Sequence, residues 1–182
     1  MDTCIALFRG INVGVNNILL MKELAGILEG LGYVNVQTYI QSGNVVLQSA
    51  KPQNQKQAED IGKRILKIKG FESKVLLIDE SAFEKAVANN PFKMDDGKAL
   101  HFFFLETPPV SPDMELLASI QSRTEDFRLV ERVFYLYAPD GIGRSKLAAK
   151  VEKALGVPVT ARNWNTVSKL LAIVQNLTGK SH

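Results

Sequence analysis

Apolar and polar positions change period several times along the chain, and each change predicts an element. Residues 2–8 (DTCIALF) form a compact apolar run closed by Arg9-Gly10, which predicts a buried strand. Met21, Leu24, Leu28 and Leu31 recur at helical spacing, and Gly30 and Gly32 mark the stop. Residues 33–40 (YVNVQTYI) alternate as a strand does. Gln41-Ser42-Gly43-Asn44 has turn chemistry and residues 45–48 (VVLQ) read as a second strand, so this segment predicts a hairpin. Beyond Pro52, Ala58, Ile61, Ile65 and Ile68 form another helical stripe, and residues 73–79 (SKVLLID) a further strand. The order is β-α-β-β-α-β.

The second half follows a similar plan. A helix from Ser81 to Ala88 and the loop Asn89-Asn90-Pro91-Phe92 lead to a strand over 98–105 (KALHFFFL). Ser111 and Pro112 predict a helix start, with Ser111 as cap and Asp113 and Glu115 in the first turn. Residues 125–130 and 132–138 predict a second hairpin. Leu147, Val151 and Ala154 mark a helix over Ser145 to Leu155, and Val167, Leu171 and Val174 a last helix over Asn165 to Leu177. The predicted fold class is α+β, as two consecutive ferredoxin-like (split βαβ) units with an extra C-terminal helix. The expected divisions are a βαββαβ unit over 1–80, a helix and linker over 81–97, and a βαββα unit with the C-terminal helix over 98–182.

This topology has a functional consequence. The first and second strands of such a unit run parallel, with the third between them. The end of strand one and the turn after strand two then lie at one edge. Residues 9–14 (RGINVG) and Gln41–Asn44 should therefore meet beside the first helix. Gly10 and Gly14 permit positive φ, Asn12, Asn16, Asn17, Gln41 and Asn44 supply neutral donors and acceptors, and Arg9 adds a charged planar fork. Glycine and asparagine are equally what turns require. The eleven residues from Arg9 to Leu19 exceed the roughly 2–6 usual for such a connection, and long loops often carry function. Arg9, Asn12, Ser42 and Asn44 are the first candidate ligand-binding residues. Their spacing matches neither the P-loop nor the dinucleotide fingerprint.

Composition narrows the chemistry. At 182 residues, 46% hydrophobic and 23% charged, the chain has ordinary globular values, which exclude a disordered or fibrous protein. One cysteine, Cys4, excludes a disulfide scaffold and a multi-cysteine zinc site. The two histidines, His101 and His182, leave little material for a metal centre, so neither metal nor cofactor is expected. No run reaches the roughly 18 apolar residues that span a bilayer, and strand-like sequence begins almost at Met1. A cytoplasmic protein without a membrane partner is the expectation. The formal net charge of +3 conceals an asymmetry. Residues 141–182 hold seven basic residues against Glu152 alone, a balance of +6, while residues 1–140 carry 15 basic and 18 acidic residues, or −3.

Within the basic segment, Lys146, Lys150 and Lys153 would share a helix face at i, i+4 and i+7, a pattern also met on any solvated helix. Arg144 and Lys146 stand where a helix is predicted to begin, an end at which the macrodipole disfavours cations. An anion at Gly141-Ile142-Gly143-Arg144-Ser145 would relieve that conflict. Arg162-Asn163-Trp164-Asn165 is expected to open the last helix with the same chemistry, Asn163 or Asn165 capping it. Arg144, Ser145, Lys146, Arg162, Asn163 and Asn165 are the second set of candidates. A third feature is aromatic. His101 to Phe104 and Phe134, Tyr135 and Tyr137 fall on strands expected to be adjacent, with both tyrosines on one face. If open, that face would resemble a base-stacking platform, although no RNA-recognition signature string is present. If packed, it is core.

The segments FRGINVG (8–14), TYIQSGNVV (38–46), NPF (90–92), GIGRSKL (141–147) and RNWNTVSKL (162–170) resemble the bacterial family called domain of unknown function 1697. The resemblance runs through five ordered blocks almost from end to end. It implies a two-part α+β fold with ferredoxin-like elements and implies no biochemical activity.

Familiar catalytic groups are scarce. Cys4 lies in a buried strand and His101 in an apolar one, and no carboxylate pair stands out. No catalytic residue is assigned, and catalysis versus binding stays open. The leading expectation is a protein that binds an anionic, phosphate-bearing ligand, nucleic acid first, on the strength of the +6 segment and the tyrosine face. The alternatives are an enzyme or binder for a small phosphorylated metabolite or nucleotide, and a protein-interaction module without ligand.

Overall fold

A computed structural model describes residues 1–180. The chain divides into two compact units, Met1–Lys85 together with the chain from Lys169, and Ala86–Ser168. The division therefore falls inside two helices, and the end of the last helix groups with the first unit rather than with 98–168 as expected.

The first unit runs β1 (Asp2–Arg9), α1 (Met21–Glu29), β2 (Val34–Tyr39), β3 (Asn44–Ser49), α2 (Gln55–Lys69) and β4 (Lys74–Asp79), then enters α3 (Glu80–Ala88). Its strands form a four-stranded antiparallel sheet in the order β2-β3-β1-β4. β1 is central and buried on both faces, which is why its sequence is a continuous apolar run instead of an alternation. Cys4, Ala6 and Phe8 pack with Leu24 and Leu28 of α1 and Ile61 and Ile65 of α2. Asn54 caps α2 by accepting from Lys56 N–H, and Gly70 ends it at φ +79°.

The second unit runs from the end of α3 through β5 (Leu100–Leu105), α4 (Met114–Ile120), β6 (Asp126–Val130), β7 (Val133–Tyr137), α5 (Val151–Leu155) and β8 (Val159–Asn163) into α6 (Trp164–Thr178). Its antiparallel sheet has the order β6-β7-β5-β8. One face holds Phe103, Leu105, Phe134 and Leu136 against Leu117, Val151 and Leu155.

Four expectations change in this unit. The sequence reading lacked a last strand. Val159–Asn163 becomes one by pairing along β5, from Leu105↔Val159 to His101↔Asn163, a non-local contact that a short polar segment after Pro158 does not announce. The helix expected from Ser145 begins later, because Ile142–Arg144 and Ala148–Lys150 are separate 3₁₀ turns and only Val151–Leu155 is α-helical. Asp113, not Ser111, caps α4, its carboxylate accepting from Leu116 N–H at 2.9 Å. The tyrosine face is closed at Tyr135, while Tyr137 is half-buried. Tyr135 is fully buried, meets Phe102 edge-on at 4.9 Å and donates its hydroxyl to the Ala86 carbonyl at 2.5 Å. Trp164 stacks on Phe102 at 5.9 Å.

Candidate ligand-binding sites

At the end of the first sheet the two predicted segments do meet. Phe8 N–H donates to the Gly43 carbonyl at 2.9 Å. Gly43 sits at φ +75°, and a Cβ there would lie 2.6 Å from Phe8 Cβ, so the hairpin turn and β1 approach as only glycine allows. Asn12 ties the loop to the hairpin turn. Its amide nitrogen donates to the carbonyls of Leu19 (2.8 Å) and Gln41 (2.6 Å), and its amide oxygen accepts from Leu19 N–H (2.9 Å). The loop from Gly10 to Leu20 is closed further by Asn17, whose side chain donates to the Gly10 carbonyl. Asn12 and Asn17 both adopt positive φ, where asparagine is among the better-tolerated residues.

Asn44 is wholly buried and donates to Ser42 Oγ (3.0 Å) and the Tyr39 carbonyl (3.2 Å), which fastens the turn it ends. Arg9 is exposed and lies opposite Lys74 in the β1–β4 register. Much of the polar chemistry of Asn12, Ser42 and Asn44 is thus spent on building the loop and turn. The sequence reading overlooked the apolar side chains these turns push outward: Val13, Val15, Ile18, Leu20 and Ile40 are all exposed, Val15 to 91%. Ile40 also holds φ +49°, uncommon for a β-branched residue.

The second set of residues lies at the end of the second sheet where β7 and β8 finish beside the start of β5. Ala138 N–H donates to the Ala99 carbonyl there, and Asn163 faces His101. Gly141, at φ +99°, opens the 3₁₀ turn Ile142–Arg144. Arg144 ends that turn, so the macrodipole conflict that suggested an anion is absent and the charge is placed favourably. What the segment does form is a cleft of about 420 Å³, lined by Arg144, Ser145 and Lys146 together with Ser122, Glu125 and Asp140. Arg144 and Lys146 are exposed and have no ion-pair partner among the described residues. Ser145 is buried, and its hydroxyl accepts from Ala148 N–H at 2.9 Å.

Arg162 stands in β8 opposite Phe102, not at a helix start, and donates to the Ala161 carbonyl. Burial lowers its guanidinium to about 10, still charged at neutral pH. Asn163 caps α6 by accepting from Thr166 N–H at 3.0 Å. Asn165 is exposed, and its N–H donates to the Gly97 carbonyl at 3.3 Å. Lys146, Lys150 and Lys153 do not lie on one α-helix, because Lys146 precedes the 3₁₀ turn that Lys150 ends and only Lys153 lies in α5.

Glu125 and Asp140 were missed. The signal for Glu125 was present as Ser122-Arg123-Thr124-Glu125, the spacing in which a carboxylate reaches back to the first backbone N–H. Its Oε2 accepts from Ser122 N–H at 2.9 Å, and Asp140 accepts from the Thr124 hydroxyl.

Burial, then the Asp79 charge, pushes the Cys4 thiol up to about 12, and burial holds His101 below its ordinary value. No cluster of His, Cys, Asp and Glu fit to hold a metal occurs among the described residues. None of their helices is long and apolar enough to cross a membrane.

Residues 1–135 match the family described as protein of unknown function (DUF1697). The chain belongs to this DUF1697 family. A comparison with curated proteins finds no match. Among solved structures, this DUF1697 chain is similar to the conserved bacterial protein SP0830 from Streptococcus pneumoniae, at 24% identity and a TM-score of 0.69, covering 95% of this chain and 98% of the other. That likeness concerns the fold.

Proposed function

We propose that this protein binds a small phosphate-bearing ligand in the cleft beside Gly141–Lys146. The observation that carries the proposal is the pair of exposed cations, Arg144 and Lys146, flanking a concave space of about 420 Å³ without an ion-pair partner among the described residues. That volume falls within the roughly 300–1,000 Å³ usual for small-molecule sites. A guanidinium fork and an ammonium on one wall suit a phosphate group. The test is thermal unfolding with pyrophosphate and a nucleoside monophosphate. Saturable stabilisation that follows mass action, and its loss in the Arg144→Ala/Lys146→Ala double variant with the ligand-free transition unchanged, is the expected result. Equal response of wild type and variant would refute it.

Nucleic-acid binding is the second reading, and it now rests on charge alone. The buried Tyr135 removes the stacking platform. Of the seven basic residues after position 140, Arg162 is largely buried and Lys180 pairs with Glu80 and Glu84, leaving Arg144, Lys146, Lys150, Lys153 and Lys169 exposed. This reading requires an affinity for single-stranded oligonucleotides that falls steeply with salt. A protein-interaction module is what remains if neither phosphate nor oligonucleotide binds. The shared strand order of the two sheets supports describing each unit as ferredoxin-like. A reducing, cytoplasmic setting suits the single buried thiol.

A further inference from the structure

The cleft is lined by acidic as well as basic side chains, Glu125 and Asp140 beside Arg144 and Lys146, and the carboxylates narrow the ligand class. Glu125 is only 8% exposed, and its backbone is held by Gln121 Nε2 on its carbonyl (2.6 Å) and by Ser122 on its N–H. Oε2 is occupied by Ser122 N–H. Oε1 has no hydrogen-bond partner among the described residues, and no buried side-chain oxygen there is left unpartnered, so Oε1 keeps access to solvent on a residue that lines the cleft. Asp140 repeats the pattern, with Oδ2 accepting from the Thr124 hydroxyl and Oδ1 left over. Both carboxylates are thus oriented through one oxygen and present the other. An ionised carboxylate only accepts hydrogen bonds, so a ligand group that replaces water at these oxygens has to be a donor. A bare phosphate would gain from Arg144 and Lys146 but be repelled by the two carboxylates. A ligand with a phosphate at one end and hydroxyl groups at the other satisfies both.

Resting on the phosphate reading of this cleft, we propose that its ligand is a phosphorylated polyol, of the sugar-phosphate or nucleotide class, whose hydroxyls donate to Glu125 and Asp140. Hydroxyls are favoured over an ammonium because Ser122 lines the same cleft and its hydroxyl lies 3.2 Å from that of Thr124, which donates to Asp140, so a neutral hydrogen-bonding network already reaches these carboxylates.

The test compares ribose 5-phosphate, inorganic phosphate and phosphoethanolamine by calorimetry against wild type, Glu125→Gln, Asp140→Asn and the Arg144→Ala/Lys146→Ala pair. Ribose 5-phosphate is expected to bind at least about tenfold more tightly than inorganic phosphate, since one charge-assisted hydrogen bond suffices for that factor. The two carboxylate variants should erase this advantage while inorganic phosphate still binds. Should Glu125→Gln unfold more readily, the exposed Asp140 carries the comparison by itself. Equal affinity for ribose 5-phosphate and inorganic phosphate would overturn the polyol assignment and leave the phosphate reading intact. Tightest binding of phosphoethanolamine would overturn it in favour of an ammonium-bearing ligand. If no phosphate compound binds wild type, the cleft reading itself fails and this inference with it.

Discussion

Replacing Asn12 separates a structural role from a ligand-binding one. The side chain makes three hydrogen bonds, to the Leu19 carbonyl, the Gln41 carbonyl and Leu19 N–H, at 2.6–2.9 Å. A net bond contributes about 0.5–1.5 kcal/mol, and the solvent-exposed bond to Gln41 belongs at the low end, so the three together stabilise by about 2 kcal/mol. Asn12 also sits at φ +50°, which alanine adopts at a cost of about 1 kcal/mol and glycine does not. Asn12→Ala should therefore destabilise by about 3 kcal/mol and Asn12→Gly by about 2, a large share of a typical total near 5–15. The assay is urea unfolding followed by far-UV circular dichroism, with fluorescence of Trp164, the single tryptophan, reporting on the second unit. The midpoint should fall with an unchanged slope. Asn12→Asp keeps the acceptor for Leu19 N–H but sets a carboxylate against two carbonyls, so it should be no better than alanine. If both the alanine and glycine variants stay within about 0.5 kcal/mol of wild type, the hydrogen bonds do not hold the loop, and Asn12 is free to serve a ligand.

Three further outcomes follow from the same structure. Gly43→Ala puts a Cβ 2.6 Å from Phe8 Cβ and 2.7 Å from Ile11 Cδ1 at φ +75°, so a loss of about 2–4 kcal/mol in the same urea assay is expected, and a neutral result would refute the close approach. Burial holds His101 below the ordinary histidine value, so as pH falls the unfolded chain takes up the proton first and stability declines through about pH 6.5. The loss ends once pH is below the lowered folded value; His101→Gln should flatten the midpoint-versus-pH curve between about pH 7.5 and 5.5, and an unchanged curve would refute the assignment. Cys4, buried and with its thiol at about 12, should resist a disulfide reagent at pH 8 until denaturant is added; rapid reaction of the folded protein would contradict its placement.

The sequence by itself determined the order of elements from β1 to β4 and the meeting of the two polar segments at their sheet edge. Those features are local. The apolar run of β1, the stripes of α1 and α2 and the Gln41–Asn44 turn are written in spacing and turn chemistry, and the strand order then brings Asn12 to Gln41. It also marked Arg144, Ser145 and Lys146, although for a reason the structure removes: Arg144 ends a 3₁₀ turn instead of starting a helix.

Only tertiary structure decided the rest. Val159–Asn163 is a strand because β5 offers it a ladder, which outweighs its weak strand pattern. Tyr135 is core because Phe102 and the Ala86 carbonyl receive it, a partner distant in sequence that alternation on β7 does not reveal. Glu125 stands 19 positions before Arg144 and joins it and Asp140, four positions before Arg144, only because the chain closes one cleft around all of them. Periodicity and turn chemistry act over a few residues, whereas a strand's partner, a face's cover and a cleft's opposite wall are set by distant ones.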